Sequence, residues 1–237
     1  MTTRDVIGLV LSYTYATSLL VLAEAVRRWQ KYPQDFTRKI VHIGAGMWVF
    51  GVLSLFDNWY IGIIPFATFI GLNYLFYRFR LFEAMDAQDS TPGTVYFAFS
   101  ITLLFLFFWR TGTASDQAAI AAAGTMAMTW GDSLAAIVGK RWGRSRYTVF
   151  GSTRSWEGSA VMFGAAFVAM LLTLLLVPGS SLSPLALPLS LFQCLVAALL
   201  AALVVAVAEA LSPWGTDNLS VPLLAGLTIY GGLLVAG

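Results

Sequence analysis

The sequence predicts an all-α fold: a polytopic integral membrane bundle of about eight transmembrane helices, each needing roughly 20 apolar residues. Three observations predict it. Hydrophobic residues make up 58% of the 237 positions and mean hydropathy is +0.76, more apolar material than a soluble core of this length needs. Apolar runs long enough to span a bilayer recur from end to end. Charged residues are only 11% of the chain, and the cations among them gather between alternate runs.

The runs fall at 6–26, 40–56, 59–77, 94–109, 117–139, 158–177, 187–209 and 219–236. The first is too long for a signal-peptide core and lacks an obvious small-residue cleavage site, so it reads as an anchor. The second and third are separated only by "FDNW", which predicts a tight hairpin. The fourth is short. The fifth holds an aspartate, Asp132, inside an otherwise apolar stretch. Between the sixth and seventh lies "PGSSLSPLALP", residues 178–188, a Pro/Ser loop without charge. Cys194 is the lone cysteine, which excludes an intramolecular disulfide and any thiolate metal cluster. No internal repeat divides the chain, so residues 1–237 read as one transmembrane domain.

Lysine and arginine set the orientation. Twelve of the 14 basic residues lie in 27–39, 78–92 and 139–157, each following an odd-numbered run; only Arg4 and Arg110 fall on the other side. The positive-inside rule then places the segments around Lys31, Asp86 and Arg146 in the cytoplasm and both termini outside.

The acidic residues follow the same side. Glu24 closes the first run, Asp132 lies about two turns above the end of the fifth, and Glu209 closes the seventh, with Asp217 just beyond. Ionisable groups at such depths usually face a bundle interior or a wet cavity. A single one is explained by pairing with a loop arginine. Together they suggest a cytoplasm-facing polar site, and the surrounding cations suit an anionic occupant. Asp132, Ala135, Ala136 and Gly139 share one helical face with almost no side chain beyond the acid. Such a face lets two helices pack closely, or lets a bulky ligand approach the backbone; the acid favours the ligand.

Downstream, "FGSTRSWEGS" (150–159) offers donors from Gly151, Ser152, Thr153 and Ser155 and a guanidinium fork from Arg154. It runs into a helix start that favours an anion, where Glu157 also suits a capping role. No Walker-type loop occurs anywhere. "RKIVH" (38–42) and "GTVYF" (93–97) are further polar turns on this side. They bring Arg38, His42, Thr94 and Tyr96 forward as supporting positions. His42 is the only histidine, a residue more often structural than catalytic when alone.

Asp132-x-x-Ala135-x-x-x-Gly139, followed by Thr153-Arg154-Ser155-x-Glu157-Gly158, resembles the CTP-binding signature of the polyprenol kinase family. That family comprises phytol kinases, dolichol kinases and CTP-dependent diacylglycerol kinases, with phosphatidate cytidylyltransferases related to it. "RKIVH", "GTVYF" and "EALSPWGTDN" (209–218) are similar to other blocks of the family, in the same order, so that the resemblance covers residues 36–222. The compact chain looks most like the bacterial phytol kinases. Arg154 stands where a lysine is common, which keeps the charge and replaces a point cation with a planar fork.

The resemblance implies a membrane-embedded lipid-alcohol kinase that carries the γ-phosphate of CTP, or a related nucleoside triphosphate, to an isoprenoid alcohol such as phytol, farnesol or geranylgeraniol, with Mg²⁺ as cofactor. Asp132, Glu209 and Asp217 would be catalytic, and those three with Asn218 would supply oxygen ligands to the metal. Lys39, Gly139, Lys140, Arg141, Arg144, Ser152, Thr153, Arg154, Ser155, Glu157 and Gly158 would bind the nucleotide. The partners are the lipid alcohol, the triphosphate and the cell (inner) membrane, without nucleic acid. A diacylglycerol kinase or a cytidylyltransferase would share these residues and differ in the lipid pocket. A transporter of anionic lipids or metabolites is the alternative from another class; the one-sided charge and the lack of an inverted repeat speak against it.

Overall fold

Continuous apolarity makes helices here, because only internally bonded backbone tolerates hydrocarbon. The computed structural model describes residues 1–30, 34–79, 81 and 91–236. Its helices are α1 (Thr3–Gln30), α2 (Gln34–Leu55), α3 (Trp59–Phe79), α4 (Gly93–Phe108), α5 (Ala118–Met126), α6 (Ser133–Trp142), α7 (Trp156–Leu176), α8 (Leu191–Leu211) and α9 (Asp217–Ala236). A π turn, Ala127–Asp132, joins α5 to α6 in one rod, so the helical segments form eight rods among the described residues. Lys31, Arg80 and Asp86, on which part of the orientation argument rests, lie outside the described residues.

Five helices, α1, α3, α7, α8 and α9, are long and apolar enough to cross a bilayer, and α4 is a shorter apolar helix of 16 residues. The chain is a multi-pass membrane protein. Leucines on the outer faces of α7 and α8, such as Leu172, Leu176 and Leu203, stand exposed, as a lipid-facing surface requires.

The bundle is all-α, as expected, with one added element: β1 (Arg146–Val149) and β2 (Ser152–Ser155) pair antiparallel, with Arg146 opposite Ser155 and Val149 opposite Ser152. The two residues between them, Phe150 (φ 47°) and Gly151 (φ 80°), both take the left-handed backbone that a tight two-residue hairpin turn demands. The seventh run starts at Leu191 rather than 187. Pro188 cannot donate to a helix interior, and a reciprocal cap begins the helix: Gln193 N–H donates to Ser190 Oγ at 3.2 Å, and Ser190 N–H to Gln193 Oε1 at 2.9 Å. The fifth run is broken by the π turn and continues to Trp142, which leaves Asp132 nearly three turns from its end.

Helix α5 is the centre of the bundle. Every one of its residues is buried, and α2, α4, α7 and α9 surround it. Its alanines and Gly124 let those neighbours come close on all sides. At the end opposite the cations, Asp5 accepts from the backbone N–H groups of Asp57 and Asn58, both at 3.1 Å, and so caps the α2–α3 turn. Asp116 accepts from the N–H of Arg110 at 2.8 Å and from Ser183 Oγ at 2.5 Å. The buried carboxylates of that end hold turns together.

Candidate active site

The other end collects the start of α2, the end of the π turn, strand β2, the end of α8 and the start of α9. Lys39 of α2 forms an ion pair with Asp132, the last residue of the π turn; their side chains are 13% and 6% exposed. Strand alternation turns Arg154 toward α8 and α9 while Thr153 faces solvent and bonds Thr148. The Arg154 guanidinium pairs with Glu209 through Nη1; through Nη2 it donates to the Ser212 carbonyl at 2.9 Å and to Asp217 at 3.3 Å. Asn218 orients Asp217, donating from its backbone N–H and from Nδ2 to Oδ1 at 2.9 and 3.0 Å. Asp132 lies within electrostatic reach of His42 and Arg154, and Glu209 and Asp217 feel both Asp132 and Lys39. Three carboxylates and two cations therefore share one recessed cluster, each cation holding acids from other elements.

Other expected site residues stand elsewhere. Ser155 is the N-cap of α7, its Oγ accepting from the Gly158 N–H at 3.1 Å. Glu157 Oε1 accepts from the N–H groups of Arg144 and Ser145, both at 3.1 Å, pinning the loop that leads into the hairpin. Lys140, Arg141 and Arg144 are exposed on the last turn of α6 and the loop beyond, with Arg141 against the Trp142 ring at 5.2 Å. The small face of α6 meets α7 rather than a ligand. A Cβ on Gly139 would stand 3.1 Å from Ser155 Oγ and 3.5 Å from the Gly158 Cα. Close helix packing accounts for the smallness of Gly139 and Gly158.

Beside the cluster, α1, α2, α3 and α4 enclose a cavity of 430 Å³, within the range of small-molecule sites. Arg38, Lys39, His42, Asn73, Thr94, Asp217 and Asn218 line its polar end, and Leu19, Leu20, Phe66, Phe69, Phe97 and Ile101 its apolar walls. Tyr96 is half-buried and does not line it. Trp48 forms part of the deep end, stacked on Tyr15 at 4.2 Å and bonded through Nε1 to Ser12 Oγ at 3.1 Å. Sequence reasoning missed Asn73, which donates from Nδ2 to the Thr94 carbonyl at 3.0 Å; a lone amide in an apolar run was its only signal. It also missed that Lys39 and Asp132 pair, for nothing local links positions 93 apart.

Among the described residues, no three His, Cys, Asp or Glu side chains stand as a ready metal cage. Mg²⁺ is commonly held by one or two carboxylates together with substrate phosphates, a mode that the oxygen donors of Asp132, Glu209, Asp217 and Asn218 would suit.

Set against curated proteins, the chain is 36% identical over 223 residues to the phytol kinase of Synechocystis sp., covering 94% of this chain and 90% of that protein. It is 27% identical over 158 residues to probable phytol kinase 2, chloroplastic, of Glycine max, covering 65% of this chain. With the probable phytol kinase, chloroplastic, of Triticum aestivum it shares 28% over 172 residues, 67% of this chain. The chain spans about half the length of these two plant relatives, 51% and 55%. No protein-family model matches it. No solved structure matches it either.

Proposed function

Since the chain belongs to the phytol kinase family, we propose that it transfers the γ-phosphate of CTP, or a related nucleoside triphosphate, to the hydroxyl of an isoprenoid alcohol such as phytol. One observation carries the reading: the apolar cavity and the charged cluster share a wall, with Lys39 and Asp217 belonging to both. A lipid tail in the cavity and a triphosphate on the cluster would meet at that wall.

The chemistry asks for alignment and charge neutralisation rather than covalent help from the protein. Lys39 and Arg154 each hold a carboxylate in a charge-assisted bond, and phosphate oxygens are the ligands best suited to take those carboxylates' place. The alcohol oxygen bonds to the γ-phosphorus as the bond to the bridging oxygen breaks; the nucleoside diphosphate leaves and a cluster carboxylate takes the hydroxyl proton. Asp132, Glu209, Asp217 and Asn218 would hold Mg²⁺, which supplies further neutralisation of the triphosphate. The exposed cations Lys140, Arg141 and Arg144, together with Ser152 and Thr153 of the hairpin, serve as an outer attracting rim. Gly139, Gly158, Ser155 and Glu157 act at one remove, fixing β2 and hence Arg154.

In the membrane, the eight helical rods would each cross once, with the cluster at the cytoplasmic face and both termini outside. The test is to give purified protein labelled CTP, Mg²⁺ and a panel of lipid alcohols and to identify the product. Label from the γ-phosphate in phytol supports the kinase; cytidine in the lipid, or label only in diacylglycerol, overturns it in favour of the related activities. Label in no lipid overturns it and leaves transport open.

A further inference from the structure

The polar end of the cavity holds two atoms that nothing satisfies. His42 Nε2 and Thr94 Oγ1 are buried and have no hydrogen-bond partner among the described residues, and both residues line the cavity. Phe97 links the two residues: the His42 ring packs on it with centroids 4.1 Å apart, and it follows Thr94 by three residues on the same face of α4. Three other polar groups of the cavity are engaged. Asn73 donates to the Thr94 carbonyl at 3.0 Å, the Tyr15 hydroxyl to the Gly44 carbonyl at 2.9 Å, and Trp48 to Ser12 at 3.1 Å. Buried polar groups are nearly always paired, so two orphans in one cavity point to a ligand.

Their chemistry selects that ligand. A ring nitrogen without a partner offers a lone pair, and a threonine hydroxyl offers a proton; an alcohol both donates and accepts. A triphosphate is mainly an acceptor at neutral pH and would place its charge against aromatic walls, while a hydrocarbon would satisfy neither atom. We infer that His42 and Thr94 seat the acceptor hydroxyl, which donates to His42 Nε2 and accepts from Thr94 Oγ1, with the alkyl chain running down the cavity. This assignment rests on the kinase reading for the identity of the alcohol, and makes both residues determinants of acceptor binding.

The experiment measures equilibrium displacement of labelled phytol from the purified protein without nucleotide. Unlabelled phytol and its hydrocarbon counterpart lacking the hydroxyl are the competitors. The wild type should favour phytol by roughly ten- to a hundredfold, the worth of a buried, satisfied hydroxyl pair. His42→Ala and Thr94→Val should each cut that preference about tenfold, and His42→Gln and Thr94→Ser, which restore an acceptor and a hydroxyl, should recover part of it. Thr94→Val is nearly isosteric and keeps the test alive if His42→Ala does not fold. A wild type that binds alcohol and hydrocarbon alike, or variants that keep the full preference, would overturn the assignment. Because no turnover is involved, that failure is separable from a failure of the kinase reading, which shows only in the labelled-product assay.

Discussion

Asp132→Asn is the change that separates the fold of the site from its chemistry. Asparagine keeps the shape and removes the charge, which leaves Lys39 facing a neutral amide in a recess where its side chain is only 13% exposed. Removing one partner of a buried pair costs about 3–5 kcal/mol. Lys39 touches the cavity and feels Asp217, which places the loss at the low end, about 3 kcal/mol. For a chain of this length each kcal/mol moves the midpoint by about 2–4 °C, so the apparent Tm should fall by about 6–12 °C at a fixed scan rate. Adding Lys39→Met to Asp132→Asn removes the stranded cation and should recover most of that loss. Turnover should not return with it, because the carboxylate as metal ligand or base has no substitute in either protein. Thermal unfolding and phosphate transfer to phytol, measured on the same detergent-solubilised samples, give both quantities. A double variant with wild-type turnover would falsify the chemical role of Asp132, and an Asp132→Asn protein of unchanged Tm would refute the energetic role of the pair.

Arg154→Ala strands Glu209 and Asp217 and should raise the apparent nucleotide KM roughly ten- to a hundredfold, with Arg154→Lys intermediate because a point cation cannot bridge three acceptors. An unchanged nucleotide titration for Arg154→Ala would remove it from the site. Trp48 lies nine residues beyond Lys39 on α2, about 14 Å deeper at 1.5 Å per residue. Trp48→Ala should therefore open the cavity floor and shift kcat/KM toward longer alcohols, about fourfold for each further methylene buried; a flat alcohol panel would contradict this. For orientation, Thr148→Cys and Ser181→Cys in a Cys194→Ser background should label from opposite faces of sealed vesicles, and labelling from one face would contradict the alternating arrangement.

The positions of the helices were legible because a bilayer allows few alternatives to a long apolar run. The hairpin was not. "RYTVFGSTRS" is polar and short, and its turn places a phenylalanine at positive φ, a conformation that turn signals assign to glycine or asparagine. Asp132 and Glu209 stood out as acids within or closing apolar runs, Asp217 as an acid just beyond one, and Arg154 as a guanidinium fork in a polar stretch, and the structure gathers all four. Their partners did not stand out, since pairing across 93 or 63 positions leaves no local trace. Gly139 and Ser155 were read as ligand contacts because smallness and hydroxyls serve packing and capping equally well; only the approach of α6 to α7 distinguishes the uses. Deciding whether His42 Nε2 has a partner needs every neighbour in place, and a sequence supplies none of them.

A π turn amounts to one residue added to a helix without unwinding it, and one residue is about 100° of rotation. The rod from Ala118 to Trp142 therefore carries two phases. In the first, a Cβ on Gly124 would come within 2.8 Å of the Pro222 carbonyl oxygen of α9; in the second, Gly139 looks onto the start of α7 and Asp132 onto Lys39. Substitutions before the turn answer to α2, α4, α7 and α9, and those after it to α2 and α7. Deleting a single residue within the turn would leave each half internally intact and alter only the angle between them, turning the carboxylate away from its lysine while the buried alanines keep their neighbours.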